Sequence, residues 1–350
     1  MIASVRRAQR QASRHHPEPV NARMRTAERN TSGFLIVLNA VIFLQCVAWA
    51  QVPQTAQKSS GKSSGDEYTL RLNSNLVTLS ATVLDHHNAL VSGLDKDDFQ
   101  IYENGVLQPI KHFSHEDIPV TVGILVDNSG SMKPKRNDVI AAALAFARSS
   151  NPQDQMFVVN FNDFVSFGLP AKIPFTDKRE QLQAALSGIS AIGETALYDG
   201  IAVGLDHLKQ GNRNKKVLVL ISDGGDNKSR HNLAQVLSMA KQSSAIIYAI
   251  GIYDEGDGDQ NPDVLNRFAR ATGGKAYFPA SSSEIPSICE EIARDIRNQY
   301  TLAYVPTIAA QDGSYRTIEV KASAPGHGRL SVRTRPGYFV SSATSPLAAR

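Results

Sequence analysis

Residues 120–132 read VTVGILVDNSGSM. Seven residues without a formal charge, nearly all apolar, stop at Asp127 and pass into small polar residues. Such a continuous run fits a strand buried on both faces, the kind found in parallel sheets rather than in half-exposed antiparallel ones. Similar runs follow at residues 156–161, 217–221 and 245–252. Between them lie amphipathic stretches, expected as helices at 136–150, 178–187, 196–209, 232–243, 262–271 and 283–297. In one, Leu233, Val236, Leu237 and Ala240 mark the i, i+3, i+4, i+7 stripe. Alternating buried strands and helices make an α/β fold with a doubly wound, mostly parallel sheet over residues 118–297.

The flanks have another rhythm. Val77, Leu79, Ala81 and Val83 alternate with Thr78, Ser80 and Thr82, the period of a half-buried strand. Asn104-Gly105 between apolar runs is a two-residue hairpin signal, since both residues tolerate positive φ. Beyond 298, Leu302 and Tyr304 alternate with Thr301 and Ala303. Ile318, Val320 and Ala322 alternate with Glu319, Lys321 and Ser323, and Asp312-Gly313 reads as a further hairpin turn. A few strands with one apolar face are not stable alone. The two flanks are therefore expected to pair into one small β-sandwich, with the α/β domain inserted between its halves. The expected divisions are 1–50 leader, 51–66 linker (rich in Ser, Gly, Gln and Lys), 67–117 first half of the sandwich, 118–297 α/β domain, 298–341 second half and 342–350 tail.

The chain has 350 residues, 42% hydrophobic and 20% charged, which excludes a largely disordered or collagen-like protein. Its net charge of +4 is misplaced as a clue. Residues 1–32 carry +5, so the remainder carries −1 and offers no basic body to nucleic acid. Residues 34–50, FLIVLNAVIFLQCVAWA, follow this Arg-rich stretch and end in Ala48-Trp49-Ala50, a small-x-small cleavage pattern. They read as a signal peptide cleaved before Gln51, with Met24 as an alternative start. The competing reading is an uncleaved anchor. Either way the body is expected outside the membrane, as an exported periplasmic, cell-envelope or extracellular protein. After cleavage only Cys289 remains, so no intrachain disulfide forms. Cys289 shares a helical face with Ile285, Ile288, Ile292 and Ile296 and reads as a buried small hydrophobe.

In open α/β sheets, ligands bind beyond the carboxyl ends of the strands. Asp127, Ser129 and Ser131 follow the first buried run, Asp223 follows the third, and Gly193-Glu194-Thr195 precedes a helix. Together they offer two carboxylates and three hydroxyls, all oxygen donors, with no His or Cys. Such a set suits a hard ion, Mg²⁺, Mn²⁺ or Ca²⁺, and does not suit zinc. For one loop alone, helix capping by Ser and Asp would be the simpler reading. His86-His87 reads as a solvated turn. Residues 254–259, DEGDGD, resemble a calcium loop in composition but lack EF-hand spacing.

Asp127-x-Ser129-x-Ser131, Thr195 and Asp223 resemble, in order and context, the metal-ion-dependent adhesion site of von Willebrand factor A domains. The likeness spans 118–297. It implies a Rossmann-like sheet, hydroxyl ligands from Ser129, Ser131 and Thr195, and Asp127 and Asp223 acting directly or through water. It also implies a protein partner whose Asp or Glu carboxylate completes the octahedron. Glu194 stands where many relatives have Gly, adding negative charge beside the site. With Gln299-Tyr300-x-Leu302-x-Tyr304-x-Pro306 and Arg335-Pro336-Gly337-Tyr338, the whole chain is similar to the related secreted proteins known from acidobacteria. Two readings compete with adhesion: a metal-independent envelope scaffold, and a metal-dependent hydrolase. The second lacks a G-x-S-x-G elbow and a D-x-D-x-[TV] motif, and no G-x-G-x-x-G supports dinucleotide binding.

Overall fold

The computed structural model describes residues 76–187, 190–253, 260–308 and 313–340. The expected leader, linker and tail, and the acidic run at 254–259, lie outside them. In chain order the first half of the sandwich holds β1 (Val77–Leu84), β2 (Phe99–Glu103), β3 (Val106–Gln108) and β4 (Ile110–Ser114). The α/β part holds β5 (Val120–Asp127), α1 (Arg136–Ser149), β6 (Gln155–Phe161), β7 (Val165–Phe167), α2 (Arg179–Ser187) and α3 (Leu197–Leu208). It continues with β8 (Lys215–Ser222), α4 (Leu233–Gln242), β9 (Ile246–Gly251), α5 (Pro262–Thr272), β10 (Ala276–Tyr277) and α6 (Ile285–Arg297). Four strands close the chain: β11 (Tyr300–Tyr304), β12 (Tyr315–Ala322), β13 (Ser331–Arg333) and β14 (Gly337–Phe339).

The central sheet has the order β10-β9-β8-β5-β6-β7, parallel except for β7. All eight residues of β5 are buried, as expected for the middle of a sheet covered on both faces. Close packing there leaves no room at Gly123, where a Cβ would stand 2.4 Å from the Phe157 ring. The stripe on α4 buries Val236, Leu237 and Ala240. Cys289 is fully buried on α6, its Sγ donating to Ala142 O (3.2 Å). Burial pushes the thiol up to about 12, so it stays protonated and unreactive.

The flanks form two four-stranded antiparallel sheets, β13-β1-β11-β4 and β14-β12-β2-β3. Each sheet mixes strands from before and after the α/β part. Their facing side chains, among them Leu79, Ile101, Tyr300, Leu302 and Val320, share one core. Asn104 (φ 48°) and Gly105 (φ 78°) make the expected hairpin between β2 and β3. Asp312 of the expected Asp312-Gly313 turn lies outside the described residues, and the strands on either side of it do not pair with each other. β11 pairs with β1 and β4, while β12 pairs with β2 and β14, so the chain crosses between sheets there instead of folding back. Gly313 N–H donates to Val340 O (2.9 Å), tying the crossing to the end of β14.

Within the first flank only β2 and β3 pair with each other; β1 and β4 find their partners in the second. An isolated 67–115 fragment is therefore expected to stay unfolded, because a lone hairpin is at best marginally stable. A well-dispersed amide NMR spectrum from that fragment would contradict the shared sandwich as a folding unit.

Candidate metal centre

β5 and β8 are neighbours, so their ends deliver Asp127 and Asp223 side by side. Both residues are 1% exposed, as is Ser129. Asp127 Oδ1 accepts the N–H of Ser129 (2.9 Å), and its Oδ2 accepts the hydroxyl of Ser222 (2.6 Å). Ser129 Oγ and Ser131 Oγ lie 3.1 Å apart, and Ser131 Oγ donates to Asp223 Oδ2 (2.7 Å). The other oxygen of Asp223 accepts the N–H of Gly225 (3.1 Å). Two carboxylates thus converge on one pair of hydroxyls. Burial, and then the Asp223 charge, push Asp127 up to about 7. Two buried like charges held this close are a poor arrangement for a protein alone and a good one for a cation.

Thr195 comes from the third loop, which is locked to the other two through backbone. Its N–H donates to Asn227 Oδ1 (2.8 Å), and its carbonyl accepts from Asn227 N (3.0 Å) and Lys228 N (3.1 Å). Ile192 N–H donates to Asn128 O (3.0 Å) and Gly130 N–H to Gly193 O (2.9 Å). Four of the five residues singled out from sequence share one hydrogen-bonded chain, and the fifth sits on a loop laced to it. The Glu194 carboxylate is paired with Lys228 Nζ at 2.6 Å, which offsets the extra negative charge.

Sequence reading missed the supporting residues. Ser222 holds the inner oxygen of Asp127. Asn128 donates to Val126 O (3.2 Å) and Asn160 Oδ1 (3.0 Å) and accepts from Arg136 Nη1 (2.6 Å), bracing the serine loop from below. Asn227 was legible in one respect, since it stands in the same polar run as Asp223. His86 and His87 are exposed in a turn whose N–H groups at His87 and Ala89 donate to Asp85 Oδ1 (2.8 and 2.9 Å).

Among the described residues, no group of three or more His, Cys, Asp or Glu side chains is placed to hold a metal. A divalent ion at this centre would therefore rely on hydroxyls as well as carboxylates. Such donors are present: the Ser129 and Ser131 hydroxyls and the Asp223 carboxylate are all oxygen and close enough to bond one another.

Residues 121–291 match the family model described as von Willebrand factor type A domain. This part of the chain is a von Willebrand factor type A domain. Among solved structures, the chain is similar to a von Willebrand factor type A protein from Catenulispora acidiphila. The two are 14% identical with a TM-score of 0.45, over 78% of this chain and 76% of that one. It is also similar to the vWF domain of the type V pili tip protein Mfa5 from Porphyromonas gingivalis (13% identity, TM-score 0.44, 51% of this chain and 95% of that one). A third is the manganese-loaded Plasmodium vivax TRAP protein (12% identity, TM-score 0.41, 68% and 97%). Comparison with curated proteins gives no match. In the A domain the three interlocked loops sit at the carboxyl edge of the sheet, where open α/β folds place their ligands.

Proposed function

We propose that the A domain is a metal-ion-dependent protein-binding module. Asp127, Ser129, Ser131, Thr195 and Asp223 would hold one divalent ion, Mg²⁺ with Mn²⁺ or Ca²⁺ as substitutes. The ion would supply a positive centre for an Asp or Glu carboxylate of a partner protein. The observation that carries this reading is the Ser129–Ser131–Asp223 chain closing against the Asp127 loop. The chain's own residues position the donors: Ser222 orients Asp127, Gly225 N–H orients Asp223, and Asn227 fixes Thr195.

In this reading the serines are ligands and not nucleophiles. Their hydroxyls bond each other and the Asp223 carboxylate, and among the described residues no imidazole bonds either one. The protein is read as exported on its N-terminal apolar segment and cleavage pattern, working in the periplasm, envelope or outside the cell. Among the described residues no helix is long and apolar enough to cross a membrane.

Titration calorimetry of the chelator-treated protein with Mn²⁺ and Mg²⁺ tests the reading. One site per chain is expected, weakened at least tenfold by Ser129→Ala or Thr195→Ala. Affinity unchanged in both variants would remove these loops from metal binding.

A further inference from the structure

The face around the metal centre carries apolar side chains that the core does not use. Phe164 is 77% exposed and Ile192 59%, the two most exposed of the large apolar side chains among the described residues. Both belong to the interlocked loops. Phe164 N–H donates to Asn162 Oδ1 (3.1 Å) and Phe164 O accepts from Asn162 N (3.1 Å), which fixes the turn after β6. Asp163, in the middle of that turn, accepts the N–H of Glu194 (3.1 Å) and so latches it to the loop of Ile192 and Thr195. The latch requires Gly193: its φ is +84°, and a Cβ there would stand 2.0 Å from Asp163 Oδ2. Phe164 and Ile192 are thus held in place beside the serine loop.

The other flank is aromatic. Tyr253, just beyond β9, stacks on Phe278, just beyond β10, with ring centroids 5.7 Å apart and planes 15° from parallel. Phe278 is 39% exposed. Ile252 N–H donates to Ser222 O (3.3 Å), which sets the residue before Tyr253 beside the residue before Asp223.

Sheet order sets the spacing. Across β9-β8-β5-β6, Tyr253 follows the strand next to that of Asp223 and Phe164 follows the strand next to that of Asp127, while Phe278 follows β10, one strand further out. At about 4.8 Å per strand the ends of β9 and β6 are roughly 14 Å apart, with the gap between β8 and β5 midway, roughly 7 Å from each. An extended chain advances about 3.3 Å per residue and presents residues i and i±2 on the same side. Two residues in either direction therefore span the same roughly 7 Å.

Resting on the metal-dependent reading, we propose that the partner offers an extended segment with an Asp or Glu flanked by large apolar residues two positions to each side. The acid meets the ion. One apolar residue covers Phe164 and Ile192, and the other covers the Tyr253–Phe278 stack. Charge complementarity favours this occupant. The ion supplies the positive centre, and the nearby Glu194 is already paired with Lys228, so an incoming carboxylate does not face it unpaired.

Two synthetic peptides test the spacing on the full chain: Ser-Ser-Leu-Ser-Glu-Ser-Leu-Ser-Ser, and Ser-Ser-Ser-Leu-Glu-Leu-Ser-Ser-Ser with the leucines moved next to the acid. In millimolar Mg²⁺ the first is expected to bind at least tenfold tighter, and in chelator neither binds. The double variant Phe164→Ser/Ile192→Ser is expected to reduce the first peptide to the level of the second. Its melting temperature and its Mn²⁺ affinity by calorimetry should stay at wild-type values, since both side chains are exposed. Equal affinity for the two peptides, no binding of either at millimolar concentration, or indifference to the double variant overturns the proposal while intact Mn²⁺ binding leaves the metal reading standing. Loss of Mn²⁺ binding in the wild type fails the metal reading itself. A metal-dependent dimer broken by Phe164→Ser would put a second copy of this chain on the face and also overturn the proposal.

Discussion

Asp295→Ala is expected to cost about 3–5 kcal/mol of stability. Asp295 lies near the end of α6 and is 2% exposed. Its Oδ1 accepts the hydroxyl of Thr82 on β1 (2.7 Å), and its Oδ2 accepts the phenol of Tyr248 on β9 (2.9 Å) and an N–H of Arg333 on β13. Gln299 closes the network, donating to Tyr248 Oη (3.1 Å) and Thr82 Oγ1 (3.3 Å). One buried carboxylate therefore joins two strands of the sandwich to a strand and a helix of the A domain. Removing it leaves two buried hydroxyls without their acceptor and the half-buried Arg333 charge without its partner. Lys215 would suffer too. Burial already pulls its ammonium down to about 8, and Asp295 is the leading charge that opposes the pull. For a body of this size the loss corresponds to a drop in melting temperature on the order of 10 °C. Asp295→Leu combined with Arg333→Met should recover the part due to the unpaired Arg333, because apolar groups replacing a buried ion pair are close to neutral, while the Thr82 and Tyr248 hydroxyls still lack their acceptor. Calorimetric unfolding of the three proteins decides the matter. A loss below about 1 kcal/mol in Asp295→Ala would mean that this network does not hold the two parts together.

Thr82 also shows where sequence reading stops. The alternation from Val77 to Val83 assigns Thr82 to the solvent face, and Val77, Leu79, Ala81 and Val83 are buried as expected. Thr82 is nevertheless fully buried, because the outward face of β1 is covered by the A domain at that point. A period of two reports one buried face, and no local pattern announces a second. β7 and β10 were missed for a simpler reason. At three and two residues they are too short to establish any period. The hairpin expected at Asp312-Gly313 meets the same limit: turn chemistry marks a change of direction and does not say which strand receives the chain. The long elements were legible because continuous apolar runs and helical stripes each extend over several residues. Two of the candidate-site loops were legible because the apolar run of β5 stops at Asp127 and that of β8 gives way, after Ser222, to Asp223. Ser222 was not, since a serine closing an apolar run gains meaning only from the Asp127 oxygen beside it.

Asp127→Asn is expected to separate ion binding from loop support. Asn keeps a carbonyl oxygen for the N–H of Ser129 and presents an amide to Ser222, so the local hydrogen bonds have near-equivalents. It removes a carboxyl whose ionised form is disfavoured by burial and by Asp223. In chelator the variant should therefore melt at the wild-type temperature or above it. In Mg²⁺ the order should reverse. An ion that binds only the native state stabilises it by RT ln(1 + [L]/Kd), about 4.1 kcal/mol at a thousandfold excess over Kd. A neutral amide in place of one of the two carboxylates forfeits most of that gain, because charge neutralisation is the larger part of holding a hard divalent cation with few ligands. The wild-type curve should move up by several degrees while the variant stays nearly still. A role confined to bracing the loop makes a different forecast. Metal would then move neither protein, and the variant would differ from wild type by the same amount in both buffers. Thermal-shift curves of the two proteins in chelator and in millimolar Mg²⁺ or Mn²⁺ separate these outcomes. Parallel behaviour of the pair across the two conditions would take Asp127 out of the metal site.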